Sequence, residues 1–336
     1  MNIWTALVAF VAALLTVAMF VMADWDLPPV QNTQTGYRGT AMAEIDDIER
    51  LQVEIEANQL PDVPWELDTT GPRASEVYEN VPALGHLSSD QFDRLMAAIT
   101  EWVSPEEGCS YCHNDDNLAS DEVYTKVVAR RMLEMTWEIN ADWGEHVAET
   151  GVTCYTCHRG HPVPENVWFR EDAPGPTRGW AGYTAGQNTV SVGLTSLQTD
   201  PFSTLLGDDG EIRVESLTAL PTGHEASIQE TERTYSLMVH MSEALGVNCT
   251  FCHNTRAVQD WAQSTPQRTT AWHGIDMVRD LNAIYLDPLQ PVFPEARLGP
   301  LGDVAKANCT TCHQGVQKPL NGASMLGDYP SLRSAP

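Results

Sequence analysis

A chain of 336 residues is long enough for one large domain or two of ordinary size. Its 46 acidic and 19 basic side chains leave a formal net charge of −27, which argues against nucleic acid as a partner, because that role needs a basic surface. The same acidity suits solubility outside the cytoplasm, or electrostatic steering of a basic protein partner.

Residues 2–23 contain no charged side chain and consist mainly of Ala, Val, Leu, Phe and Met. About 20 apolar residues cross a bilayer as a helix, so residues 1–23 are predicted to be a retained transmembrane anchor. A cleaved signal peptide is the rival, with Val21-Met22-Ala23 as its cleavage site. No Lys or Arg precedes the run, however, and it is longer than the roughly 7–15 residues of a signal-peptide core. Residues 24–75 hold eleven acidic side chains against Arg38, Arg50 and Arg73, with several prolines. They read as an extended acidic arm with one amphipathic stretch near 43–57, lying along a partner or the body.

Helices are predicted at about 88–103, 120–142, 228–245 and 268–286. Ser88-Ser89-Asp90-Gln91 supplies an N-cap start for the first, and Asn140 precedes a change of direction. Residues 161–225, rich in Gly, Pro, Thr and Trp, read as a connector with a few strands. Residues 321–336 read as a C-terminal tail, mainly loop.

Each predicted helix ends before a copy of one short motif. The copies are Cys109-Ser-Tyr-Cys112-His113, Cys154-Tyr-Thr-Cys157-His158, Cys249-Thr-Phe-Cys252-His253 and Cys309-Thr-Thr-Cys312-His313, and together they use all eight cysteines. Cys-x-x-Cys-His attaches c-type haem. Each cysteine sulfur adds to a haem vinyl group, and the histidine gives the iron one axial nitrogen. Little room is left for disulfides, zinc or a catalytic thiol. The cofactors implied are four covalently bound c-type haems, and the chain reads as an electron-transfer protein, not an enzyme. Covalent haem attachment is completed outside the bacterial cytoplasm, which places the body on the periplasmic side of the inner membrane. Asp24 and Asp26 after the anchor agree with an exported flank, although acidic residues weigh little in that rule.

The surroundings of the motifs repeat. Motifs one and three continue with Asn114 and Asn254, whereas two and four reach Gly160 and Gly315 after one more residue. Leu95-Met96-Ala97-Ala98-Ile99 upstream of the first aligns with Leu237-Met238-Val239-His240-Met241 upstream of the third. Ala129 to Met135 aligns with Ala271 to Met277, which sets Met132 opposite Gly274. The predicted fold is therefore mainly α: a multihaem cytochrome with two pseudo-repeated haem-pair halves, 76–160 and 226–320, behind one N-terminal transmembrane helix.

The second axial ligand decides the chemistry of each iron. A Met thioether raises the potential and a second His usually lowers it. Met96 and Met238 share one helical position and are the strongest candidates; His240 and Met241 align with Ala98 and Ile99, which cannot ligate. Met132 is the candidate for the second haem. Met135 and Met277 suit packing. At the fourth haem Gly274 offers no side chain, so the ligand comes from elsewhere among His86, His146, His161, His224, His240 and His273. His146 and His273 are the leading choices.

Together with Tyr124-Thr125-Lys126-Val127-Val128-Ala129-Arg130-Arg131-Met132, Ser264-Thr265-Pro266-Gln267-Arg268, Cys312-His313-Gln314-Gly315-Val316 and Gly36-Tyr37-Arg38-Gly39-Thr40, these residues resemble the tetrahaem cytochrome subunit family of purple-bacterial photosynthetic reaction centres. The resemblance implies Met96, Met132 and Met238 as sixth ligands of the first three haems, and His146 as that of the fourth. It also implies Arg268 as a tuning charge near the third haem. A roughly linear wire would stand on the periplasmic face of the L and M subunits, with the light-harvesting ring as a further candidate contact. The third haem would lie nearest the bacteriochlorophyll special pair and the first farthest from it. Electrons would come from a soluble basic cytochrome c or a high-potential iron–sulfur protein. The chain departs from the resemblance at its N-terminus: well-known relatives carry a lipid-bearing cysteine there, and a retained helix is expected in its place.

Two other functions fit some of the same residues. A membrane-anchored tetrahaem quinol dehydrogenase feeding periplasmic reductases shares the helix and the four haems, but relies on His ligands for low potential. A multihaem enzyme needs an iron with a vacant position and nearby acid–base groups, whereas each haem here has a nominated sixth ligand.

Overall fold

The computed structural model describes residues 2–22, 29–36, 42–170, 197, 200–212 and 228–336, and it is mainly helical. The first helix, α1 (Ile3–Met22), is 20 residues long, carries no charge, and buries none of its side chains against the body. At 1.5 Å per residue it measures about 30 Å, the thickness of a bilayer's hydrocarbon core.

The arm differs from its prediction at one point. Residues 43–47 of the expected amphipathic stretch form a strand, β2 (Ala43–Asp47), paired antiparallel with β1 (Val30–Gln34). Only the remainder, α2 (Ile48–Ala57), is helical. Asp47 marks the switch, because its carboxylate accepts from the Glu49 and Arg50 N–H groups at 3.0 and 3.2 Å and caps the helix there. The arm lies along the body, as one of its two predicted options had it. The Ala43 carbonyl accepts from Asn248 Nδ2 at 2.7 Å, just before the third motif. Asn58, at the end of α2, donates to the Gln314 carbonyl at 3.4 Å and accepts from Arg159 Nη2 at 2.9 Å. It thereby links the chain just after the second motif to the chain just after the fourth.

The four predicted motif-associated helices are present. They are α4 (Ser89–Val103), α5 (Tyr124–Asp142), α8 (Ile228–Leu245) and α9 (Pro266–Asp280), the last continued by a wider turn over Leu281–Leu286. Ser88 and Gln91 form the expected capping box at the start of α4. Three short helices complete the set used below: α6 (Gly144–Val147), which follows the turn after α5, and two on motifs, α7 (Cys154–His158) and α10 (Cys309–His313). The intervening short helix α3 (Ala74–Val77) leads into α4.

Two apolar clusters hold these helices. One joins Leu95, Ala98 and Trp102 of α4 and Leu133 and Trp137 of α5 to Met325, Leu326, Tyr329 and Leu332 of the C-terminal segment. The tail is loop, as predicted, but it is core and not a dangling end. Arg94 fastens it, donating to the Asp328 carbonyl at 2.6 Å and to the Trp65 carbonyl at 2.7 Å, with its guanidinium 4.4 Å over the Tyr329 ring. The other cluster joins Ile139, Leu237, Ile275, Val278 and Leu281 to Phe202, Leu205 and Leu206 from the predicted connector. The described residues of that connector, 161–170, 197 and 200–212, form none of the expected strands beyond a single bridge of Trp168 to Lys306, and its other residues lie outside those described.

Lys306 ties the connector's start to the approach of the fourth motif. Its Nζ is 2.8 Å from Asp303, 3.2 Å from Asp287 and 3.1 Å from the Val304 carbonyl, and its side chain is 1 % exposed. Its backbone exchanges two hydrogen bonds with Trp168. Lys306→Met leaves Asp303 half-paired in a buried setting, a loss typically of about 3–5 kcal/mol. Denaturant titration of the purified protein is expected to show a matching drop in midpoint, and Lys306→Arg is expected to recover most of it.

Candidate haem-binding sites

The first motif sits on a tight turn, Gly108–Tyr111, directly after α4, and the third on a similar turn, Cys249–Phe251, after α8. Thr125 donates its hydroxyl to the Tyr111 carbonyl, and Thr265 donates to the Phe251 carbonyl at 2.5 Å, so the first turn of α5 and the residue just before α9 brace these turns. The second and fourth motifs are helical. Thr153 and Asn308 open α7 and α10 with capping boxes completed by Thr156 and Thr311. Each helix ends in a left-handed residue, Arg159 or Gln314, followed by a glycine of positive φ, Gly160 or Gly315. The two glycine N–H groups then bond back to the Trp102 and Ala244 carbonyls at 2.7 and 2.9 Å. That contact anchors motif two to α4 and motif four to α8.

All four motif histidines use Nδ1 in the same way. His113 meets the Leu118 carbonyl at 2.9 Å, His158 that of His161 at 2.8 Å, His253 that of Val258 at 2.8 Å and His313 that of Val316 at 3.1 Å. A carbonyl can only accept, so Nδ1 carries the proton and Nε2 presents its lone pair. This is how metal-bound histidines are held. Burial holds His158, His253 and His313 below the usual imidazole pKa, His313 at about 4 with His146 also contributing, so the rings are neutral. Burial likewise pushes Cys154 and Cys252 up to about 11 and Cys309 to about 12, keeping them as thiols.

His146 behaves like a fifth member of the set. Carried on α6, it reaches across to α9 and meets the Thr270 carbonyl through Nδ1 at 2.9 Å. Its ring centroid lies 5.9 Å from that of His313 at an interplanar angle of 69°. Gly274 makes the approach feasible: a Cβ there would lie 2.4 Å from His146 Cε1 and 2.7 Å from Nδ1. The absence of a side chain that the repeat alignment picks out is the space this imidazole fills. His273, the other leading choice, adjoins Gly274 in sequence but is not the ring facing His313. His240 packs edge-on against Phe202 at 4.6 Å, and His161 lies 3.4 Å from Glu165 at the surface. His86 is exposed, and His224 falls outside the described residues.

Met96 and Met132 line one cavity of about 1090 Å³ together with Cys109, Cys112, His113, Cys154, Cys157 and His158. Single-ligand pockets span roughly 300–1,000 Å³, so the space suits large flat apolar groups, and the residues present fit haem. Met238, on α8, is packed against the second apolar cluster. Met277 is buried in that cluster and Met135 packs on its edge, as fits a packing role. Arg268 lies 3.9 Å over the Trp261 ring and donates to the Val258 carbonyl at 3.2 Å. Its charge lowers the pKa of the Cys252 thiol against the larger effect of burial.

The motifs leave little room for disulfides, yet two of their cysteines meet. Helices α7 and α10 pack side by side, and Cys157 and Cys312 are joined, with their Cα atoms 4.5 Å apart; the other six cysteines are free. No local signal foretold it, since the partners are 155 residues apart.

A mainly helical body carrying four Cys-x-x-Cys-His turns, each with its histidine pre-oriented for a metal, defines a c-type cytochrome. A family model described as "Photosynthetic reaction centre cytochrome C subunit" matches residues 26–333. The photosynthetic reaction center cytochrome c subunit of Rubrivivax gelatinosus is 53% identical over 322 residues, covering 95% of this chain and 88% of its own. That of Thermochromatium tepidum is 49% identical over 322 residues, covering 95% and 79%. That of Roseobacter denitrificans is 44% identical over 320 residues, covering 89% and 84%. The chain belongs to the photosynthetic reaction centre cytochrome c subunit family. It is an electron-transfer subunit with covalently bound c-type haem, associated with the reaction centre and its membrane. Membership sets aside the quinol dehydrogenase and reductase alternatives.

Proposed function

We propose that the chain relays electrons through four c-type haems from a soluble donor to the photo-oxidised bacteriochlorophyll special pair. The observation that carries this reading is the common setting of the four motif histidines, whose Nδ1 atoms are each held by a backbone carbonyl. Haem bound at the four motifs supplies one-electron iron chemistry. The chain's own residues tune it. Met96, Met132 and Met238 would hold the iron beside the motif histidine at the first three sites and favour a high potential there, whereas His146 would do so at the fourth and favour a lower one. With their ring centroids 5.9 Å apart, His146 and His313 would both reach one iron, given nitrogen–metal bonds of roughly 2.0–2.1 Å.

The matching braces of motifs one and three by Thr125 and Thr265, and of motifs two and four through Gly160 and Gly315, support two pseudo-repeated halves at 76–160 and 226–320. The proximity of Cys157 to Cys312 supports placing the second and fourth haems side by side where those halves meet. The α1 helix serves as the retained anchor, with the body on the periplasmic face against the L and M subunits. The acidic surface receives a basic cytochrome c or a high-potential iron–sulfur protein at the far end of the wire. Co-purification from membranes followed by flash spectroscopy tests the reading. Bacteriochlorophyll re-reduction is expected to run in step with haem oxidation, with four haems per chain. Uncoupled kinetics would refute it.

A further inference from the structure

Lys126, in the first turn of α5, is a buried cation with all its protons committed. Its Nζ lies 2.8 Å from the Leu118 carbonyl and 2.9 Å from those of Ala119 and Ser120, with Asp121 Oδ1 at 3.3 Å. An ammonium has three protons, and three carbonyls take them. The Leu118 carbonyl is also the acceptor of His113 Nδ1. One oxygen is thus shared by a proposed axial ligand and a fixed positive charge.

The same arrangement recurs at the third motif. Arg268 donates to the Val258 carbonyl, which is the acceptor of His253 Nδ1. Lys126 and Arg268 are 142 positions apart, the same offset as Met96 and Met238. At the second and fourth motifs the accepting carbonyls belong to His161 and Val316, and among the described residues no Lys or Arg side chain donates to either. The device therefore goes with two of the four sites and is built from different residues in each.

A carbonyl that accepts from a ligating imidazole raises the basicity of that ring, and a more basic ligand favours ferric iron. A cation on the same oxygen competes for its lone pairs and weakens that effect. We propose that Lys126 is a positioning residue that raises the potential of the haem held by Cys109 and Cys112, by drawing electron density from the Leu118 carbonyl and so making His113 a weaker donor. The proposal rests on His113 being the axial ligand of that haem.

The test uses the complex purified from membranes, in parent, Lys126→Met, Lys126→Arg and Asp121→Asn forms, with a Met96→His variant marking which haem titrates where. In Lys126→Met one midpoint of the four is expected to fall by about a threefold to tenfold change in the ferric–ferrous constant, tenfold being about 59 mV for one electron. Lys126→Arg is expected to stay near the parent. Asp121→Asn removes the anion but leaves the three carbonyl bonds, so the same midpoint is expected to rise. In the reduced, diamagnetic protein the His113 Nδ1–H proton resonance is expected to move downfield in Lys126→Met as its hydrogen bond strengthens. A midpoint unmoved in Lys126→Met, or moved without any change in that resonance, overturns the proposal. If Lys126→Met does not assemble, Asp121→Asn decides alone, and the absence of a rise overturns it. Haem content separates this from the underlying reading. Fewer than four haems in the parent strikes the four-haem wire, whereas four haems with unmoved potentials strike only Lys126.

Discussion

With Met238 as the proposed ligand, replacing it with His is expected to lower the potential of the third haem and to remove the fast phase of special-pair re-reduction under a chosen redox poise. Axial ligands command a span of roughly 0.8 V in haem proteins, and exchanging a thioether for an imidazole moves the iron towards the ferric state. A fall on the order of 100 mV is a modest share of that span and shifts the ferric–ferrous constant about fiftyfold, at about 59 mV per tenfold. With the ambient potential set between the parent and variant midpoints, the third haem is already oxidised before the flash. No electron is then waiting beside the pigments, and the fast phase loses its amplitude. Lowering the poise below both midpoints restores it, since a reduced low-potential haem is still a competent donor. Flash kinetics measured across a potential series check this directly. Parent-like amplitude at every poise removes Met238 from the iron, or the third haem from its place beside the special pair.

Gly274→Ala is expected to disrupt the fourth site, although the same change in an ordinary helix is stabilising. Glycine within a helix costs up to about 1 kcal/mol relative to alanine, so the backbone of α9 would gain. The new methyl, however, would lie 2.4 Å from His146 Cε1 and 3.0 Å from its Nε2. That ring is held by the Thr270 carbonyl and faced by His313, so it cannot yield without leaving the site. Overpacking of this kind typically costs about 1–3 kcal/mol, which outweighs the helical gain. The fourth haem is expected to lose its sixth ligand, acquire high-spin character in electron paramagnetic resonance and bind carbon monoxide when reduced. His273→Ala is expected to do neither. Carbon monoxide binding in the His273 variant but not in the Gly274 variant would hand the ligand role to His273.

How much of this is legible in the sequence varies with the range of the interaction. The motif cysteines and histidines are written in five consecutive letters, because thioether attachment and one axial nitrogen need only that spacing. The start of α4 is read from Ser88 and Gln91 because a capping box closes within one turn. Met96 and Met238 stand out because an internal repeat aligns two windows whose contacts are local. The hairpin is the local failure. Residues 43–57 carry a helical pattern throughout, yet β2 pairs with β1 and docks on Asn248, so a distant contact overrides it.

The four haem-attachment motifs, the motif-associated helices, the apolar N-terminal helix and the acidic balance are determined by the sequence itself, because each depends on covalent chemistry, composition or periodicity within a few turns. Spacing left His146 and His273 both open and the resemblance named His146, but only the tertiary structure shows how it comes up to His313, that Lys126 shares a carbonyl with His113, that Cys157 meets Cys312, and that the last residues fill a core. Three of these four contacts join residues far apart in the chain, and all of them depend on how helices pack, where a single missing Cβ at Gly274 settles which ring fits.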